Sequence, residues 1–180
     1  HVSEDEIEIL RNYKVNVLNN PTSNLKLGNG FAPVSSFLSN GLNVALGTDG
    51  SASNNNLNLF EEMHLASIVN KGFNEDTESL NAKTVIRMAT INGAIALGLE
   101  NEIGSIEVDK RADLIMLDAR KTHFFPRNNL VSSIVYSAQA SDVITVMVNG
   151  KILMEDYVVK TINQEETFFK SEQMAFDLIK

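Results

Sequence analysis

The chain has 180 residues, a formal net charge of −8 at pH 7 and no cysteine. The negative charge argues against nucleic acid or an anionic membrane as a partner, and the lack of cysteine excludes disulfides and cysteine-type zinc sites. No apolar run approaches the length of a membrane span, and no secretory leader is recognised. We therefore predict a cytoplasmic protein with enough residues for one domain with a hydrophobic core.

The first hundred residues alternate strand-like and helical patterns. Ser3 and Glu6 form a capping box, which predicts a helix at that end of the chain. Strands are predicted at residues 15–18 and 43–46, and the stretch 19–24, rich in Asn and Ser around Pro21, is typical of a loop. Further helices are predicted at residues 33–38, 57–69 and 80–97, the last broken near residues 92–93. The alternation favours parallel βαβ units.

The pattern changes after Gly104, where short apolar runs predict a small β-rich module. Strands are predicted at residues 106–108, 113–118, 143–148 and 151–154. Asn149 and Gly150 separate the last two runs, and this dipeptide predicts a hairpin. Helices are predicted at residues 129–138 and 163–180, and Asn163 and Glu166 supply the cap of the second.

The most informative residue is Asp49, which lies in the sequence LGTDG at residues 46–50. The apolar run before it predicts a buried strand, and parallel α/β proteins place catalytic and metal-binding carboxylates at the ends of such strands. A carboxylate there can ligate a divalent metal and accept a proton from water. The pattern is also typical of a simple Asp-Gly turn, although the Ser/Asn cluster at residues 51–56 is unusually polar for one.

The remaining candidates are weaker. The loop at residues 19–26 follows the other predicted parallel strand, so we expect it on the same rim as Asp49. The three histidines, His1, His64 and His123, form no recognisable zinc motif. The acidic pairs at residues 61–62 and 165–166 are most simply interpreted as solvated helix faces.

Two long segments resemble the amidohydrolase superfamily. They are residues 20–34 (NPTSNLKLGNGFAPV) and residues 46–63, which contain Asp49. Shorter stretches are also similar, at residues 87–94, 104–108, 112–115 and 148–151. Within the superfamily, the motifs look most like the 5-methylthioadenosine/S-adenosylhomocysteine deaminase group, with chlorohydrolases and aminohydrolases nearby.

The resemblance implies a (β/α)8 barrel with a small composite β-sandwich domain. In this family one divalent metal, usually zinc, is held by a His-x-His pair on the first strand, by histidines on the fifth and sixth strands and by an aspartate on the eighth. Asp49 matches that aspartate. The resemblance therefore assigns Asp49 two roles, as a metal ligand and as the catalytic group that takes a proton from the attacking water and passes it to the leaving ammonia.

The chain also departs from the family pattern. The His-x-His pair and the fifth-strand histidine would lie upstream of this sequence, and His1 matches a histidine that is not counted as a ligand. Asn19 stands where many relatives have His, and His64 stands where they often have Arg. We therefore predict a C-terminal portion of a metallo-dependent hydrolase. Residues 1–102 would form the last two strand–helix units of the barrel, 103–160 strands of the β-sandwich, and 161–180 a C-terminal helix.

The predicted activity is hydrolysis of a C–N bond other than a peptide bond, with deamination of an adenosine-type small molecule as the main hypothesis. Two alternatives stay open, namely a guanine, cytosine or triazine-type amidohydrolase or chlorohydrolase, and a non-catalytic remnant or partner subunit. The substrate-binding residues are not identified, because most would belong to strands outside the chain. Since two parallel strands cannot close a barrel, we expect contacts with a missing N-terminal half or with further copies of the chain.

Overall fold

The structure, a computed structural model, describes residues 2–179. Its contacts divide the chain into two compact units, the first formed by residues 1–110 with 119–140 and the second by residues 111–118 with 141–180. In the described part of the chain, no helix combines the length and the apolar character that crossing a membrane would need.

The first unit alternates strands and helices, as the sequence predicts. Its strands are β1 (Val17–Asn19) and β2 (Val44–Leu46). Its helices are α1 (Glu4–Asn12), α2 (Pro21–Lys26), α3 (Val34–Ser39), α4 (Ser51–Asn54), α5 (Leu59–Asn74), α6 (Ala82–Met88), α7 (Ile91–Leu97) and α8 (Leu130–Tyr136), with a 3-10 turn at Thr122–Phe124.

The capping box at the start of α1 is confirmed. The Ser3 hydroxyl accepts a hydrogen bond from the Glu6 backbone N–H at 3.3 Å, and the Glu6 carboxylate accepts one from the Ser3 N–H at 2.7 Å. Two N–H groups that the helix itself leaves without partners are thereby satisfied. The helix turns Ile7 into the core, where it is buried.

Strands β1 and β2 pair in parallel, with Val17 opposite Val44 and Asn19 opposite Leu46. All three residues of β2 are buried, and α3, α5, α6 and α7 pack against this strand. Because Asn43 O and Gly47 N bond to β1, the alternate residues Val44 and Leu46 turn their backbone groups to the opposite edge of β2.

That opposite edge of β2 is partly covered by one side chain. The Asn92 side-chain amide donates to Val44 O at 2.9 Å, and the Asn92 backbone carbonyl accepts from the Asn43 side-chain amide at 2.9 Å. Asn92 lies inside α7 and is buried. The predicted helix break near residues 92–93 is therefore misplaced. The break falls between α6 and α7, and Asn92 tolerates the helix because its polar atoms find partners on β2.

The predicted loop after β1 is wrong, because this segment forms α2. Asn and Ser disfavour helix interiors, but Pro21 stands at the first helical position, where its missing N–H costs nothing and its fixed φ suits a helix. Pro21 and Ser23 are also buried, so tertiary packing outweighs the local preference for a turn.

The segment after α7 is a loop, and the strand predicted at residues 106–108 is also wrong. Ile106 and Val108 are 87% and 90% exposed, so an apolar composition alone does not bring them into a sheet. The loop is organised by the Lys110 ammonium, which donates to Glu100 O at 2.5 Å and to the Ser105 hydroxyl at 2.6 Å.

The second unit contains β3 (Leu114–Leu117), β4 (Val143–Val148), β5 (Lys151–Glu155), β6 (Val158–Val159) and α9 (Gln164–Ile179). The strands form an antiparallel sheet in the order β3-β4-β5-β6. The predicted hairpin is confirmed, because Asn149 and Gly150 connect β4 and β5 with positive φ angles of 49° and 74°, as a type I′ turn requires. The Asn163 side chain caps α9 by accepting from the Glu166 N–H at 3.2 Å.

Candidate metal-ligand site at the end of the parallel strands

The candidate site forms where β1 and β2 end side by side. The last residues of the two strands, Asn19 and Leu46, are opposite each other, and the Gly47 N–H continues the ladder by donating to Asn19 O at 3.0 Å. The two segments that follow the strands, residues 20–26 and 47–54, therefore start next to each other, and we call them the rim segments. A Cβ built on Gly47 would come within 2.6 Å of the Asn20 amide oxygen, so glycine allows this close approach.

Asp49 lies on this rim with its side chain exposed and its backbone in the left-handed region, at φ 60°. One carboxylate oxygen, Oδ2, accepts a hydrogen bond from the buried Ser23 hydroxyl at 2.7 Å, and the other, Oδ1, accepts the Gly50 N–H at 2.7 Å. The hydrogen bonds from Ser23 and Gly50 hold the pKa of the Asp49 carboxyl below its usual value. Ser23 makes the largest contribution to this lowering, and Ser53 makes a smaller one. The carboxylate is thus held ionised and in one orientation.

A change of Ser23 to alanine is expected to raise the pKa of Asp49 in the metal-free protein. A lowered folded pKa contributes stability that is fully present above the unfolded value of about 3.9 and is lost as the pH falls through the folded pKa. Ser23→Ala removes the largest cause of the lowered pKa, so the contribution of Asp49 to the free energy of unfolding becomes smaller. A carboxyl 13C NMR titration of Asp49 measures the change, and Ser53→Ala should give a smaller rise. Equal titration midpoints of Asp49 in wild type and in Ser23→Ala would show that Ser23 does not lower the pKa of Asp49.

Glu62 lies behind the rim, and the prediction that it belongs to a solvated helix face is wrong. Its side chain is 1% exposed, and its carboxylate accepts the Thr22 N–H at 3.0 Å and the Asn54 amide at 2.7 Å. The same Asn54 amide donates to Thr48 O at 2.7 Å. A carboxylate that would be costly to bury alone is thus hydrogen-bonded to groups from both rim segments.

The other residues singled out in the sequence lie elsewhere or stay outside the description. Asn19 is buried at the end of β1. His64 lies on α5, where its ring meets the Tyr136 ring edge-on at 6.2 Å. His123 packs against Phe124 at 4.8 Å between ring centroids. His1 lies outside the described residues.

The geometry of the Asp49 carboxylate is compatible with that of one ligand in a metal site. Its two oxygens are each fixed by one hydrogen bond, which is how outer partners orient a ligating carboxylate, and the exposed rim leaves their remaining lone pairs accessible. Over residues 2–179, no group of three or more His, Cys, Asp or Glu side chains comes together in a way that could hold a metal ion. Among the described residues, Asp49 is therefore a single candidate ligand whose orientation is set by its hydrogen-bond donors.

Sequence reasoning proposed Asp49 as a site residue but missed the residues that bind its carboxylate and the loop around it. Ser23 and Asn54 belong to Ser/Asn-rich stretches that resemble ordinary turns, and Glu62 is adjacent to another acid at the start of a helix. One signal was available, because Leu59 stands three positions before Glu62, and Leu65 and Ala66 stand three and four positions after it. An acid among apolar neighbours at helical spacing indicates a position that faces the core.

Comparison with known proteins identifies the class. Residues 1–153 match the amidohydrolase family, so the chain belongs to the amidohydrolase family and its predicted fold is confirmed. A zinc-bound adenosine deaminase from Xanthomonas campestris has a similar fold, with a TM-score of 0.93, 36% identity and coverage of 96% of this chain and 39% of that one. A triazine hydrolase variant superposes with a TM-score of 0.88 at 26% identity, over 96% and 38% of the two chains.

The curated relatives point to one group within the family. The chain is 53% identical over all its 180 residues to a 5-methylthioadenosine/S-adenosylhomocysteine deaminase from Thermoanaerobacter pseudethanolicus, of which it covers 42%. It is 53% identical over 175 residues, 97% of its length, to the protein of the same name from Acetivibrio thermocellus, of which it covers 41%. The chain thus spans about two fifths of the length of these relatives.

Proposed function

We propose that the chain is the C-terminal part of a metal-dependent hydrolase that deaminates an adenosine-type substrate, such as 5-methylthioadenosine or S-adenosylhomocysteine. The observation that carries the proposal is the Asp49 carboxylate, held at the end of a buried parallel strand by Ser23 and Gly50. The names of relatives that are 53% identical over the whole chain support the substrate class. The reaction exchanges an exocyclic amino group for the oxygen of water and releases ammonia.

Asp49 has two roles in the proposed reaction. One of its oxygens would ligate the divalent metal, which we propose to be zinc and which supplies water activation when bound. The carboxylate also accepts a proton from the attacking water and delivers it to the leaving amino group. Ser23 and Gly50 support both roles because they fix the carboxylate and favour its ionised form.

A triazine-type ring is the second candidate substrate. It is favoured by the triazine hydrolase variant, which has the same fold at 26% identity. Both reactions replace a group on an electron-poor nitrogen heterocycle by the oxygen of water, so the rim around Asp49 serves either.

The test is ammonia release by the full-length protein that contains this chain, from 5-methylthioadenosine, S-adenosylhomocysteine, guanine and an aminotriazine. Release from the first two compounds is expected. Release from only guanine or the triazine would overturn the substrate class and keep the hydrolase. The absence of ammonia from all four compounds, with metal bound, would overturn the proposed function.

We also propose that the 180-residue chain alone self-associates. Both edges of the two-stranded sheet lack a further strand in the described residues, and Leu18 on β1 is 59% exposed. Open strand edges and apolar surface favour association with another chain. Light scattering after size-exclusion chromatography should give a mass above that of the monomer. Addition of the remainder of the full-length protein should compete for these edges, and a stable monomer would contradict the expectation.

A further inference from the structure

The residues behind the rim form a closed ring of contacts. Ser23 donates to the Asp49 carboxylate at 2.7 Å. Its neighbour Thr22 donates its backbone N–H to Glu62 at 3.0 Å. On the other side, Thr48, the neighbour of Asp49, accepts from the Asn54 amide at 2.7 Å, and that amide also donates to Glu62 at 2.7 Å. Glu62 thus closes a path that returns to Asp49 through both rim segments.

We propose that Glu62 is a positioning residue for Asp49. Its buried carboxylate fixes the start of α2 and the end of β2 in one mutual arrangement, and this arrangement sets the direction of the Asp49 carboxylate. The inference deepens the proposed function and rests on it, because it concerns how the proposed metal ligand is held. Glu62 itself is 1% exposed, and its hydrogen-bond partners are Thr22 and Asn54, so it acts through other residues.

A carboxylate suits this position better than an amide or an apolar side chain. Its two oxygens accept from two donors of separate segments, the Thr22 N–H to Oε2 and the Asn54 amide to Oε1. Glutamine has one acceptor oxygen, so one of the two donors loses its partner. Leucine removes both acceptors and leaves the Thr22 N–H and one Asn54 hydrogen without them, which is unfavourable in a buried place.

The helix that carries Glu62, α5, is anchored by packing on several other elements. Glu62 lies in the first turn of α5, a 16-residue helix whose buried residues include Phe60, Met63 and Ala66. The helix also contacts α2, α6, α8 and β2. Because outer partners of a metal ligand commonly change metal affinity or activity by about 10–100-fold when they are removed, we expect effects of that size at Glu62.

The experiment compares full-length wild type with Glu62→Gln, Glu62→Leu and the matched control Glu61→Gln. Glu61 is the adjacent acid on the same turn of α5, and it accepts from the Asn56 side chain, outside the ring. The readouts are zinc affinity by competition with a chelator, kcat and KM separately, thermal unfolding, and hydrogen exchange in peptides covering residues 20–26 and 46–50.

We expect zinc affinity and kcat to fall about tenfold in Glu62→Gln and further in Glu62→Leu, while KM changes little and Glu61→Gln matches wild type. Hydrogen exchange should rise in both rim peptides together. If Glu62→Gln lowers only the unfolding temperature and leaves zinc affinity, kcat and exchange at the rim unchanged, Glu62 is merely structural and the proposal fails.

The readouts also separate this proposal from the proposed function. A wild-type protein that binds zinc but releases no ammonia refutes the deaminase assignment, while the zinc affinities and rim exchange of the variants still decide the role of Glu62. A wild-type protein that binds no zinc overturns both. If Glu62→Leu fails to fold, Asn54→Ala provides the second variant, because it removes the contacts of Asn54 with Thr48 and with Glu62 and leaves Thr22 bonded to Glu62.

Discussion

The full-length variant Asp49→Asn is expected to lose about three to four orders of magnitude in kcat/KM and to retain its fold. A general base contributes about 10²–10⁴ in rate, and the loss of a ligating carboxylate adds to that. Asparagine is a better probe than alanine, because the φ of 60° at this position is tolerated by Asn and strained for Ala. Ammonia release and circular dichroism, measured on the same sample, check the two parts of the prediction.

The matched control for Asp49→Asn is Asp109→Asn. Asp109 is also an exposed aspartate with a positive φ, 70°, so the same substitution removes the same charge in a similar backbone conformation. Its kcat/KM should equal that of wild type. Turnover near the wild-type level in Asp49→Asn would show that Asp49 is neither ligand nor base.

The sequence pointed to Asp49 because its signals are local. An apolar run of three residues that ends in a carboxylate and a polar cluster is visible without any knowledge of the fold. The parallel pairing of β1 with β2 also followed from the alternation of strands and helices, and the hairpin at Asn149 followed from the dipeptide itself. In these cases local chemistry and tertiary structure agree.

The support for Asp49 was not predictable in the same way, because it depends on contacts between distant segments. Glu62 binds Thr22, which is 40 positions away, and Ser23 binds Asp49 across 26 positions. The apolar residues around Glu62 indicate only that it faces the core and not which donors it binds, and the Asn/Ser-rich α2 has the composition of a turn. Burial where α2, α5 and β2 pack together explains both the helix at α2 and the hydrogen-bonded carboxylate of Glu62.

The second large effect is expected from Gly104→Ala, which should destabilise the protein by about 3 kcal/mol. Gly104 has a φ of 88°, and a Cβ built on it would come within 2.7 Å of the Ala94 Cβ and 2.9 Å of the Ile91 Cα. The second contact is with backbone, which cannot move aside as a flexible side chain can. Alanine would therefore push the loop away from α7, and urea unfolding measures the cost.

Gly98→Ala separates backbone strain from the close approach. Gly98 also has a positive φ, 71°, but no heavy atom lies within 4 Å of a Cβ built there, so this variant reports strain alone, about 1 kcal/mol. The difference between the two variants measures the packing of the loop on α7. Equal losses of unfolding free energy in Gly104→Ala and Gly98→Ala would show that packing of the loop on α7 makes no such contribution. Because α7 also carries Asn92, which bonds to Val44 on β2, a loosened loop at Gly104 should further weaken the support of the strand that precedes Asp49.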